Sequence, residues 1–289
     1  MNKIYCLLFL LLLTDYHAGA NLNMPLPKAD AAPLRIITLG AAISETVYAL
    51  GYGSRIVATD VTSLYPQPVK QLPKVSRNRI LSAEALLSFR PDLVLAPDAD
   101  ISKEIRYQLK MAGIKLITFK QQFNTKGALE FIRQVSMAVG NPAKGEELVK
   151  RTESALLAAI NQVKTNAKRP KKVLFIYARG AGTMTVAGKG SNMDAIISLS
   201  GGINAVKEFA EFKPYSTEMM VKTNPDVILL FDFGLNSLGG TKAVLEMPGV
   251  SGTNAGRNKN IVQVDGPLMV NFSTRLPEAI KVLNERIYP

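Results

Sequence analysis

Ser82-Ala83-Glu84-Ala85-Leu86-Leu87-Ser88-Phe89-Arg90-Pro91-Asp92-Leu93-Val94-Leu95 and Ser216-Thr217-Glu218-Met219-Met220-Val221-Lys222-Thr223-Asn224-Pro225-Asp226-Val227-Ile228-Leu229 are two copies of one pattern. Each reads S-x-E, then helix-compatible residues, then P-D and an apolar run. The serine suits an N-cap, and the glutamate falls in the first turn, where its charge favours the helix macrodipole. The proline stops the helix, and the β-rich run after the aspartate reads as a buried strand. The copies lie 134 residues apart, and two fainter echoes have nearly the same offset. Met111-Ala112-Gly113-Ile114 answers to Met247-Pro248-Gly249-Val250, and Ile36-Ile37-Thr38-Leu39 answers to Val173-Leu174-Phe175-Ile176. Three matches at an almost constant offset imply two similar α/β lobes.

Between the copies, Leu148, Leu156, Ile160 and Val163 recur at helical spacing over Ala143–Lys168. A helix of that length is about 38 Å long, enough to run across both lobes as a stiff connector. A shorter helix, near Lys126–Val139, precedes it and stops at Gly140-Asn141-Pro142. The expected division is a lobe over 21–140, an interlobe helix over 141–169 and a lobe over 170–289. Within each lobe strands alternate with helices, as in Arg35–Leu39, Ser44–Leu50 and Ile56–Thr59. The fold class is therefore α/β, with two Rossmann-like lobes of mostly parallel sheet. Open parallel sheets bind ligands beyond the strand C-termini. That directs attention to the loops Leu39–Ser44, Asp60–Arg79, Tyr177–Ser191 and Phe231–Gly240, facing each other across a cleft.

The first 20 residues read as a secretory signal peptide: a basic start at Lys3, ten apolar residues over Ile4–Leu13, and Ala18-Gly19-Ala20 as a cleavage site. The apolar run is too short for a bilayer anchor. Cys6 and His17 both lie inside this segment, so the chain after it carries no Cys and no His. Disulfides, thiolate zinc sites, Ser–His–Asp triads and imidazole-ligated metals are thereby excluded. With 47% hydrophobic and 20% charged residues, the composition is that of an ordinary globular protein. Its 35 Lys+Arg against 23 Asp+Glu favour an anionic ligand or surface over nucleic acid in an exported chain.

Asp60-Val61-Thr62-Ser63-Leu64-Tyr65-Pro66 follows a short strand. Tyr65, held extended before proline, is either a half-buried aromatic anchoring a turn or a phenolate. In a chain without His or Cys, a phenolate is the strongest hard-metal ligand beside carboxylates. Arg77 and Arg79 follow closely; they are either solvated charges or partners for an ionised oxygen or a ligand carboxylate. Gly180-Ala181-Gly182-Thr183-Met184 and Gly188-Lys189-Gly190-Ser191 satisfy neither the P-loop nor the dinucleotide pattern. A hairpin at Met184–Ala187, followed by a helix capped by Asn192, is expected instead. Asn271-Phe272-Ser273 is a chance match to a glycosylation sequon.

Taken together, T-S-x-Y-P at Thr62–Pro66, the paired S-x-E…P-D units and the interlobe helix resemble periplasmic haem-binding proteins of bacterial ABC haem importers. Val186-Ala187-Gly188-Lys189-Gly190-Ser191, Gly201-Gly202-Ile203-Asn204-Ala205 and Thr274-Arg275-Leu276-Pro277-Glu278-Ala279 extend the resemblance to about Arg35–Leu283. The architecture is shared with siderophore and cobalamin binders. The resemblance implies a non-enzymatic periplasmic protein that carries haem to an inner-membrane ABC permease, with an outer-membrane haem receptor system upstream as a further candidate partner. It implies Tyr65 as the axial phenolate to ferric iron, with Arg79 matching a family arginine where Ser76-Arg77-Asn78-Arg79 replaces Gly-Tyr-x-Arg. Tyr177, Arg179 and Met184 fall in the stretch that lines the pocket. Glu84 and Glu218 correspond to glutamates that dock on permease arginines. The competing expectations are a ferric-siderophore or cobalamin carrier and, from another class, an exported α/β enzyme.

Overall fold

The computed structural model describes residues 35–76, 80–180 and 184–289. The signal-peptide reading of residues 1–20 and the candidates Arg77 and Arg79 lie outside the described residues. In the first lobe, β1 (Ile36–Thr38), β2 (Ile56–Thr59), β3 (Leu93–Pro97) and β4 (Lys115–Phe119) form a wholly parallel sheet in the order β2-β1-β3-β4. The second lobe holds β5 (Lys172–Ala178), β6 (Met184–Ala187), β7 (Ile203–Asn204), β8 (Phe212–Lys213), β9 (Val227–Phe231) and β10 (Ile261–Val264). Their order is β10-β9-β5-β6-β8, with β7 beside the start of β5. Strands β10, β9 and β5 are parallel, whereas β6 runs antiparallel to both β5 and β8.

The repeat sets strand register by the same contacts in both lobes. Asp92 Oδ2 accepts from the Arg35 amide at 2.9 Å, and Asp226 Oδ2 accepts from the Lys172 amide at 2.8 Å. Each aspartate thus ties the strand it precedes, β3 or β9, to the start of its parallel neighbour, β1 or β5. The basic residue at that start reaches back to the end of the repeat helix. Arg35 Nη2 donates to the Phe89 carbonyl at 2.6 Å, and Lys172 Nζ donates to the Thr223 carbonyl at 2.7 Å. Cations at these C-terminal carbonyls satisfy groups the helix itself leaves unpaired. At the other end, Ser82 Oγ accepts from the Ala85 amide and Ser216 Oγ from the Met219 amide, as N-caps do.

The helices Thr125–Ala138 and Pro142–Asn166 lie within two residues of the expected bounds. Asn141 caps the long one through the Lys144 amide, after Gly140 reverses the chain at φ 79°. A Cβ on Gly145 would lie 2.0 Å from Ser136 Oγ, so the close approach of the two helices requires glycine there. Leu148 and Val149 of the long helix pack into the first-lobe core with Ile36, Leu93 and Val135. Two turns later Leu156, Ala159 and Val163 pack into the second-lobe core with Ile280 and Leu283. One rigid element is therefore shared between two hydrophobic cores.

Two local readings change, and one is upheld. The first helix starts at Ala41, three residues before the expected Ser44. The helix after the glycine turn is capped by Ser191, whose Oγ accepts from the Asp194 amide while Asn192 is already helical. Asn271, Phe272 and Ser273 are all fully buried, which removes the sequon from any glycosylation in the folded protein.

Candidate functional site

Asp60 organises the loop that carries Tyr65. Its Oδ1 accepts from the Gly40 amide at 2.9 Å and from Ser63 Oγ at 2.6 Å. Its Oδ2 accepts from the Thr62 amide at 3.1 Å and from the Thr62 hydroxyl. Ser63 Oγ also lies 2.7 Å from Ser44 Oγ, which is 2.7 Å from Thr38 Oγ1. A hydroxyl has one proton, and Ser63 commits its own to the carboxylate. Ser44 therefore donates to Ser63 and Thr38 to Ser44, giving one direction to a buried chain that ends on Asp60. Lys74 Nζ closes the loop from below, donating to Thr59 Oγ1 at 2.7 Å and to the Ser63 carbonyl at 2.9 Å. Burial lowers the pKa of that ammonium, and the charge of Asp60 opposes the shift.

The loop faces a cavity of about 1240 Å³ at the C-terminal edges of both sheets. This exceeds the ~300–1,000 Å³ usual for a drug-sized ligand. Gly40 and Ala41, after β1, and Pro97 and Asp98, at the end of β3, meet there, at the point where the strand order of the first sheet reverses direction. Ile43, Leu64, Phe119, Phe123 and Phe131 make the first-lobe wall apolar, and Tyr177, Phe212, Phe231 and Phe233 make the second-lobe wall aromatic. These four rings pack edge-on or tilted, with Tyr177 and Phe233 centroids 5.7 Å apart and Phe231 and Phe233 5.6 Å apart. Arg179 crosses this wall: its Nε donates to the Tyr177 hydroxyl at 2.6 Å and its guanidinium lies 5.0 Å from the Phe233 centroid.

Beside the cavity the lobes are joined through Arg275, which precedes the helix Leu276–Ile287. Its guanidinium carbon lies 3.9 Å from the Tyr65 ring centroid, Nη1 is 3.7 Å from Glu45 Oε1, and Nε donates to Glu278 at 2.7 Å. Glu45 is only 3% exposed and, among the described residues, neither of its carboxylate oxygens has a hydrogen-bond partner. Burial pushes the Glu45 carboxyl up to about 8, against the charge of Arg275 and with help from Glu278 and Asp265. Hydrogen bonding to Glu278 in turn raises the pKa of Arg275. Gln121 Nε2 adds a second bridge, donating to the Phe272 carbonyl at 2.9 Å, and Phe123 packs edge-on against Phe272.

The sequence candidates are distributed unequally about this site. Tyr177 and Arg179 line the cavity. Tyr65 is 47% exposed beneath Arg275, next to the lining residue Leu64. Met184 does not line the cavity; it packs against the core on the other face of the second sheet, with Ile176 and Leu230. Glu84 and Glu218 are exposed in the first turns of equivalent helices. Sequence reasoning missed Glu45, Arg275, Lys120 and the aromatic residues Phe119, Phe123 and Phe212. Phe119 ends β4 and Gly266 follows β10, so the rule that ligands lie beyond strand C-termini would have found both regions.

A family model described as periplasmic binding protein matches residues 36–268, which span both sheets. The chain belongs to the periplasmic binding protein family. Proteins of this family are substrate-binding components of transport systems. The chain is 30% identical to an uncharacterised ABC transporter substrate-binding lipoprotein, YvrC of Bacillus subtilis, over 89% of its own length and 81% of the relative's. It is 28% identical to a vitamin B12-binding protein of Vibrio parahaemolyticus, over 70% and 72% of the two chains. Among solved structures, the periplasmic haem-binding protein BhuT in complex with two haems superposes with a TM-score of 0.84 at 36% identity, covering 88% of this chain and 97% of that one. No helix among the described residues is long and apolar enough to cross a membrane.

Proposed function

We propose that this protein binds haem between its two lobes in the periplasm and delivers it to an inner-membrane ABC permease. The observation that carries the reading is the pairing of a large cavity, walled by aromatic and aliphatic side chains, with an exposed tyrosine on a tightly fixed loop beside it. An apolar macrocycle gains from the walls. A phenolate from Tyr65 would suit ferric iron, and the Arg275 guanidinium, 3.9 Å from its ring centroid, holds that ring in place. The match to BhuT supports the same ligand class. Arg79, with Arg77 beside it, would hydrogen-bond the phenolate or a propionate. Tyr177 and Arg179 would contact the macrocycle, and Glu84 and Glu218 would engage the permease. On this reading residues 1–20 are removed on export.

A corrinoid carrier is the second reading, favoured by the similarity to vitamin B12-binding proteins. Parallel titrations of the apoprotein with hemin and with cobalamin decide between them. The haem reading expects a tyrosinate–ferric haem spectrum and a stoichiometric end point with hemin. Saturable binding of cobalamin without a spectral response to hemin would overturn it.

A further inference from the structure

Two cations border the cavity from opposite walls: Lys120, directly after β4, and Arg179, directly after β5. One acid, Asp98, lines it among the described residues, and its carboxylate is already engaged. Arg106 Nη2 at 2.6 Å and Thr118 Oγ1 at 2.9 Å both donate to Asp98 Oδ1. The hydrogen bonds from Thr118 and Arg106 hold the Asp98 carboxyl below its ordinary range, so it stays ionised and turned toward them. Lys120 Nζ sits 3.8 Å from Asp98 Oδ2 with its side chain 86% exposed. Such a loose exposed pair contributes little, and Lys120 can turn to an incoming anion at small cost. Arg179 differs in being fixed. Its Nε is committed to the Tyr177 hydroxyl, and its plane is held near the Tyr177 and Phe233 rings.

The geometry points to a two-sided carboxylate clamp in which Lys120 and Arg179 engage acid groups on the edge of a flat apolar ligand. This deepens the haem reading and rests on it. A porphyrin with two propionates supplies an apolar plane for the aromatic wall together with two anionic arms for the cations. Removing those anions from water beside apolar walls is unfavourable unless each meets a cation. A corrinoid, whose ring arms are neutral amides, presents no pair of edge carboxylates to these two charges. Lys120 and Arg179 are therefore specificity-determining residues, selecting dicarboxylate macrocycles over neutral ones.

The test compares hemin with hemin dimethyl ester, in one cosolvent, against the intact protein and the variants Lys120→Ala, Arg179→Ala and Lys150→Ala. Lys150 is exposed on the long helix and controls for net charge. Wild type is expected to bind hemin roughly tenfold more tightly than the ester. That ratio should shrink severalfold in each cavity variant through weaker hemin binding, and stay unchanged in Lys150→Ala. Equal affinity of wild type for the two ligands overturns the clamp, as does a ratio that neither cavity variant changes. A ratio that only one of them changes overturns its two-sided form. Hemin binding with any of those results leaves the haem reading standing, whereas failure to bind either ligand removes both.

Discussion

The guanidinium carbon of Arg275 lies 3.9 Å from the centroid of the Tyr65 ring, although the two residues are 210 positions apart and belong to different lobes. A cation over an aromatic face is attracted by the ring's quadrupole. Nη1 of Arg275 also lies 3.7 Å from Oε1 of Glu45, likewise from the first lobe, so the arginine of one lobe contacts two residues of the other.

Replacing Tyr65 by Phe preserves the ring, the arginine stack and the loop while removing the oxygen. The phenolate-to-iron absorption of the hemin complex should vanish, and affinity should fall by about tenfold or more, equivalent to ~1.4 kcal/mol. Residual binding from burial of the macrocycle should remain. An unaltered ferric spectrum would return Tyr65 to the role of a turn anchor.

Glu45 should make stability fall with rising pH. Its folded-state pKa of about 8 stands above the ordinary 4.5, so the native state binds this proton more tightly than the unfolded chain does. The resulting stability is fully present below pH 4.5 and is lost as pH rises through 8, at up to about 1.4 kcal/mol per pH unit. Glu45→Gln removes the titrating group. Melting curves from pH 5 to pH 9 should therefore show a variant-minus-wild-type difference in Tm that grows with pH. A difference that is flat across this range would show that Glu45 ionises normally.

Gly145→Ala should destabilise the protein by about 1–3 kcal/mol, because the added methyl group meets Ser136 at a helix contact that cannot open without disturbing both lobes. Denaturant titration reads this as a lower midpoint with an unchanged slope. Wild-type stability in this variant would mean that the two helices separate freely.

The double variant Glu84→Ala/Glu218→Ala should bind hemin as wild type does and yet fail to stimulate the ATPase of a reconstituted haem permease. Two ion-pair sites, one per lobe, would orient the carrier as well as attract it, and the effect on encounter should weaken with salt. Normal stimulation by the double variant would leave these residues as helix-dipole carboxylates, worth about 0.3–1 kcal/mol each.

Much of the fold was legible because its signals are local. Ser82 and Ser216 cap, Pro91 and Pro225 stop, and Asp92 and Asp226 precede buried strands, each through interactions within a few residues or with one adjacent strand. Ser191 and Asn192 show the limit of that locality. Both are good capping residues, and only the backbone conformation decided which of them stands outside the helix. The tyrosine loop was legible as a loop, but the lysine that closes it comes from eleven residues beyond Ser63, and nothing in the intervening residues marks the pairing.

The sequence by itself determined two α/β lobes, a shared helix and the confinement of its one Cys and one His to residues 6 and 17, since periodicity, capping and residue inventory are properties of short stretches or of the whole list. Tertiary structure alone decided which side chains face the cavity and how the lobes meet. Lys120 and Arg179 are 59 positions apart, and Glu45 and Arg275 are 230 apart. Their proximity to one site follows from two sheets presenting their C-terminal edges to each other across a rigid helix. The burial that lifts the Glu45 carboxyl and the stacking of Arg275 on Tyr65 depend on that packing. A carboxylate or a guanidinium has no distinguishing environment until the chain has closed around it.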